Sequence, residues 1–147
     1  MIGKNRRLIN PLTGTDVFGK IPEIIFRKTD FFQEGLIYLK HGDHYGANRG
    51  FGAVHIWAEH ENVLRDLGYT TIDDVPNFVS KIIQEHAPIH CEFNNMKGNH
   101  RIAVLKSSIG VAYLEHRTDG DNNIFYSVVT AFTKGKAHGP QIGTVCK

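Results

Sequence analysis

Several things are scarce in this sequence. Two cysteines, Cys91 and Cys146, are too few for a disulfide framework or a paired CxxC metal site, and they leave the redox compartment open. No apolar run approaches the roughly 18 residues that read as a membrane span. Met1 to Asn10 starts basic but has no apolar h-region, which argues against a signal peptide. Charge of one sign is scarce too. Lys plus Arg is 17 against 15 Asp plus Glu, and a net charge of +2 names no polyanionic partner. The distribution says more: residues 1–49 carry eight basic and five acidic side chains, residues 50–88 two and six, and residues 89–147 seven and four, giving +3, −4 and +3. If the middle block forms an outer helical layer, its acidic face is a poor surface for nucleic acid, and RNA lies against the other two. Histidine is what the chain has in excess. Nine imidazoles invite either metal binding or acid–base chemistry near neutral pH.

A length of 147 residues, 41% of them hydrophobic, is enough for one core, and a single domain over 1–147 is expected. Glycine and proline punctuate residues 1–51, with 1–35 read as a loosely structured lead-in. From Gly52 the apolar positions Ala53, Ile56, Trp57, Val63, Leu64 and Leu67 fall on one side of a helix that Gly68 ends. A second helix starts at Thr71 as N-cap and runs to about His86. Beyond Pro88 the period becomes two. Residues 89–94, 99–107, 109–118 and 123–133 read as a four-stranded antiparallel meander, with turns at Met96-Lys97-Gly98, Ser107-Ser108 and Asp119 to Asn122. Lys134 to Lys147 reads as a flexible basic tail. The expected fold is α+β: N-terminal loops and two helices packed on one face of a four-stranded antiparallel sheet.

His55 and His60 are the first chemical candidates. Five residues apart, they lie about 140° around a helix and cannot clamp one zinc as an i, i+4 pair does. The helical wheel places His60 on the apolar side, toward the sheet, and His55 in the first turn with Glu59, facing outward beside a glycine-rich loop. That loop, His41 to Gly50 and including Arg49, offers phosphate donors but no P-loop spacing, and His41, Asp43 and His44 read more readily as a solvated turn than as a metal site. Arg101 and His116 fall on interior strands, where a charged side chain needs solvent or a partner. Arg101 suits a bidentate phosphate contact. Period two puts Tyr126, Val128 and Thr130 on one face of the last strand and Ser127 on the other.

Gly50-Phe51-Gly52 followed by His55-Ile56 and His60, and a last strand reading Phe125-Tyr126-Ser127-Val128-Val129-Thr130-Ala131-Phe132, resembles the barnase/EndoU/colicin/RelE-like nuclease superfamily. The likeness is to its phage and polymorphic-toxin branch, the carboxy-terminal toxic tips of contact-dependent growth inhibition effectors. It implies a bacterial toxin acting in the target-cell cytoplasm: a metal-independent endoribonuclease, often cutting transfer RNA, with no cofactor. His55, His60, Arg101 and Thr130 are the catalytic residues so implied. Arg49, Lys106, His116, Tyr126 and Ser127 are the expected substrate contacts. An acidic cognate immunity protein is the expected protein partner, and no membrane contact is expected. RNA supplies its own 2′-OH nucleophile, so the enzyme needs a base, an acid and cations for the phosphorane charge. Two imidazoles near pKa 6.5 suffice, though which is acid and which base stays open. The alternatives are a histidine metallonuclease and a non-catalytic phage or effector interaction module.

Overall fold

The computed structural model describes residues 3–27, 30–93, 101–133 and 139–146. The meander is there. β7 (Pro88–Cys91), β8 (Ile102–Lys106), β9 (Gly110–Thr118) and β10 (Ile124–Phe132) pair antiparallel in succession. It is not, however, the whole sheet. β1 (Gly19–Ile21) and β4 (Gly35–Tyr38) extend it past β10, and β11 (Gln141–Thr144) extends it past β7, giving seven strands in the order β1-β4-β10-β9-β8-β7-β11. β4 runs parallel to β10, with Leu36 opposite Phe125 and Ser127 opposite Tyr38. The sheet curls until its two edges meet, where the Cys146 amide donates to the Lys20 carbonyl at 2.9 Å.

The expected four-stranded sheet with loops before it is therefore corrected to a seven-stranded curled sheet with two helices. The lead-in holds β1, and the segment read as a basic tail holds β11, followed by the buried Val145. The physical reason is edge satisfaction: a bare four-stranded meander leaves two edges unpaired, and these short strands cover both. The turn expected at Met96-Lys97-Gly98 lies outside the described residues.

Two hairpins stand apart from the sheet, β2 (Ile24–Arg27) with β3 (Asp30–Phe32), and β5 (Asp43–Gly46) with β6 (Arg49–Phe51). β6 runs directly into α1 (Gly52–Asp66), and Gly68 follows at φ +98. Thr71 caps a 3₁₀ turn, Ile72–Asp74, through a reciprocal capping box, and α2 (Val75–Ile82) continues it. Val75, Phe78, Val79 and Ile82 of α2 share one core with Ile102, Val104, Ala112, Leu114, Tyr126, Val128 and Ala131. These sheet residues mark one face of β8, β9 and β10. The opposite face carries Ala103, Tyr113, Glu115, Arg117, Phe125 and Ser127, and Arg101 precedes β8 in the same alternation.

A register shift between Val128 and Thr130 changes the parity of β10. Thr130 thereby pairs with Tyr113 and joins the face of Ser127, not that of Tyr126. Phe132 follows it there, its ring stacked on Tyr113 with centroids 5.8 Å apart. Among the described residues no helix is long and apolar enough to cross a membrane.

Candidate functional site

The site is built where the β5–β6 hairpin folds back over the start of α1. Two glycines allow the close approach. Gly42 and Gly52 have φ of +81 and +79, and their backbones cross so tightly that the Gly52 Cα lies 2.8 Å from where a Cβ on Gly42 would sit. Ala53 N–H donates to Lys40 O at 3.0 Å and Val54 N–H to His41 O at 2.9 Å, so the first turn of α1 is satisfied by the chain entering the hairpin.

This crossing sets His44 of β5 against His55 of α1, with Nδ1 to Nδ1 at 2.9 Å. On its other side, His55 Nε2 meets Glu59 Oε1 at 2.7 Å, an i, i+4 pair one turn along the helix. The chemistry of these atoms fixes the protons. An ionised carboxylate only accepts, so His55 Nε2 carries hydrogen, and neutral His55 then accepts at Nδ1. His44 Nδ1–H must be the donor. The result is a directed chain, Glu59 to His55 to His44, that ends on His44 Nε2, to which no described residue is hydrogen-bonded.

His55 is 2% exposed, and the outward position expected for it is corrected. The wheel assumed that only the sheet covers α1, but the hairpin covers its first turn as well. His60 is half-buried. Its φ of −128 and ψ of 16 break the helix, and its ring packs on Phe132 at 5.4 Å between centroids. The same kink leaves Val63 and Leu67, both expected in the apolar stripe, exposed.

Burial pushes the pKa of His55 below that of an ordinary imidazole, against the raising influence of Glu59; the charges of His44, His60 and Arg101 lower it further. His60 is also lowered, chiefly by burial and again against Glu59. Arg101 therefore stands within electrostatic reach of His55. Thr130 Oγ1 is buried without a hydrogen-bond partner, about 7 Å along β10 from Phe132, the residue on which the His60 ring packs. The structure thus gathers His55, His60, Arg101 and Thr130 on one side of the sheet, and adds His44, Glu59, Tyr113 and Phe132.

The remaining expected contacts divide. Ser127 shares the site's face, and Arg49 is exposed at the start of β6. Tyr126 is corrected: it is 1% exposed, on the core face, donates to Gln33 O at 2.7 Å, and burial pushes its hydroxyl up to about 12. His116 is corrected with it. It sits across from Tyr126, ring against ring at 5.6 Å, on the face away from the histidines. Lys106 ends β8 about 17 Å from Arg101 and is removed from the cluster.

His44 and Glu59 are the residues that sequence reasoning missed. Glu59 had a readable signal in its i, i+4 spacing from His55; His44 had none beyond being a histidine in a glycine-rich loop. Among the described residues no three His, Cys, Asp or Glu side chains are arranged to hold a metal ion. The 2.9 Å between the two imidazole nitrogens is a hydrogen-bond distance. Two ligands at about 2.0–2.1 Å from a tetrahedral zinc would stand roughly 3.3 Å apart.

Neutral burial of His55 and His60 makes stability depend on pH. Their folded pKa values lie below the unfolded 6.5, so below about pH 6.5 the unfolded chain binds more protons than the fold. The contribution is complete above that pH and is lost as pH falls toward the depressed values. Urea midpoints should therefore drop between about pH 7 and pH 5.5, and drop less in a His55→Gln/His60→Gln variant. Equal slopes in the two proteins would remove these imidazoles as the cause.

No family model, no curated protein and no solved structure matches the chain.

Proposed function

We propose that this protein is a metal-independent endoribonuclease in which the RNA 2′-OH attacks the adjacent phosphorus, leaving a cyclic phosphate and a 5′-hydroxyl. The observation that carries the reading is the Glu59–His55–His44 chain, ending on an unengaged Nε2, with a second imidazole, His60, and Arg101 within electrostatic reach of His55. His60, kept neutral near pH 7 by its burial, suits the base and takes the 2′-OH proton. His44 suits the acid. A proton on its Nε2 leaves the Nδ1–H bond to His55 intact, and the Glu59 carboxylate behind His55 offsets the charge. As the 2′-oxygen to phosphorus bond forms and the bond to the 5′-oxygen breaks, His44 passes that proton to the leaving oxygen. Arg101, exposed just before β8, stabilises the phosphorane oxygens, while the Thr130 hydroxyl is buried beneath that face and does not reach substrate. His55 is a positioning residue, since it fixes the tautomer of His44 without reaching substrate.

The resemblance of the Gly50 to His60 and Phe125 to Phe132 segments to the toxin branch of the nuclease superfamily supports the same chemistry. It extends the proposal to a toxin that attacks transfer RNA in a target bacterium and is neutralised by an acidic immunity protein. The test of the activity is incubation of the purified protein with total RNA in excess chelator. Fragmentation is expected. RNA left whole at protein concentrations that saturate binding would make this a binding module, and fragmentation abolished by chelator would make it a metallonuclease.

A further inference from the structure

A polar cavity of about 360 Å³ opens beside the start of α1 on the sheet face that carries the histidine site. Lys4, Lys40 and Arg117 line it together with Phe51, Phe125 and Ser127. Its one lining carboxylate, Glu115, is held by Arg117 at 2.9 Å, so three cations face one carboxylate. Arg7 adds a fourth positive charge close by: its guanidinium lies 3.8 Å over the Tyr38 ring and 5.7 Å from the centre of Phe125, with Asp16 at 3.8 Å. Lys40 Nζ sits 5.0 Å over Phe125, and among the described residues no carboxylate is within ion-pair distance of it. Its pKa is pushed below the usual lysine value by burial, and further by the charges of Arg117 and Arg7. Cations so crowded repel one another, and a bound anion relieves that repulsion.

The cavity and the histidine site are built on two shared elements. Ser127 and Thr130 share one face of β10, about 10 Å apart along the strand. Phe51 closes the cavity one residue before α1, whose Ala53 amide is bonded to the Lys40 carbonyl. An RNA strand running from the histidines along this face of β10 toward Ser127 comes to the cavity that Lys40 lines.

We propose that this cavity is a second RNA subsite, in which Lys40, Lys4 and Arg117 hold a backbone phosphate flanking the scissile one and the Phe51 ring packs against its base. A phosphate among cations beside an aromatic ring is the arrangement by which single-stranded nucleic acid is held without sequence preference. The placement rests on the endoribonuclease reading, but the binding does not.

Binding is measured by fluorescence anisotropy with a labelled single-stranded 2′-O-methyl oligoribonucleotide, which lacks the nucleophile and stays whole. Lys40→Gln should weaken binding about tenfold and lower the slope of log affinity against log salt by about 0.7, one phosphate contact on a single strand. Lys4→Gln/Arg117→Gln alters the cavity rim and should do the same with a larger loss of slope. It decides the matter if circular dichroism shows Lys40→Gln to be unfolded. Wild-type affinity and slope in the folded variants would overturn the subsite. If unmodified RNA stays whole while the uncleavable strand binds and the variants weaken it, the ribonuclease reading fails and the subsite stands.

Discussion

Replacing His44 by alanine should lower RNA cleavage by about 10²- to 10⁴-fold, the loss for removing a positioned acid or base, and leave the fold in place. His44 is half-exposed on a hairpin, so water can take over its bond to His55. His55→Ala should behave differently. It removes the link between Glu59 and His44, so activity falls, and it also leaves a cavity and an unpartnered carboxylate, weakening the fold by ~1–3 kcal/mol. Steady-state cleavage of a short RNA and urea unfolding of both variants separate the two roles. Full activity in purified His44→Ala would remove the relay from the mechanism.

The largest effect on stability is expected at the glycine crossing. At Gly42 a Cβ would overlap the Phe51 carbonyl, and at Gly52 it would lie 2.5 Å from the Lys40 carbonyl, both at positive φ. The obstacles are backbone atoms held in place by the hydrogen bonds of the first turn of α1, so neither can swing aside. Gly42→Ala should cost about 3 kcal/mol or more, from left-handed strain plus the clash. Gly14→Ala is the control. Its φ is +74 but a Cβ there meets nothing within 4 Å, so only the strain of about 1–2 kcal/mol remains. Thermal or urea unfolding of the two variants measures the difference, and equal losses would mean that the crossing is not tight in solution.

The parts of this fold that announce themselves in sequence are those with a repeating signal. Nine-residue runs rich in aromatic and β-branched or small apolar residues over 110–118 and 124–132 mark β9 and β10, and the apolar stripe after Gly52 with Gly68 behind it marks α1. β1, β4 and β11 are three or four residues long, too short to show a period, and their partners lie far away in the chain; nothing local pairs Leu36 with Phe125 or Gln141 with His90. The site shows the same division. His55, His60, Arg101 and Thr130 are recognisable as residue types on α1 and near the sheet. Their orientation is not, because it depends on a hairpin covering the first turn of α1, a kink at His60 and a register shift after Val128. The last of these matters most for the strand: simple alternation keeps Thr130 with Tyr126, whereas the shift leaves Tyr126 on the core face and turns Thr130 to the opposite one. His44 becomes meaningful only once β5 is folded back onto α1.

The proposed reaction has the RNA 2′-OH as nucleophile and imidazoles as the groups that move the protons. It is tested most directly by the ends of the RNA fragments made by the wild-type protein in excess chelator. Fragments ending in a 2′,3′-cyclic phosphate or 3′-phosphate, each followed by a 5′-hydroxyl, are the predicted result. Fragments with 5′-phosphate and 3′-hydroxyl ends would show water as the nucleophile and contradict the account.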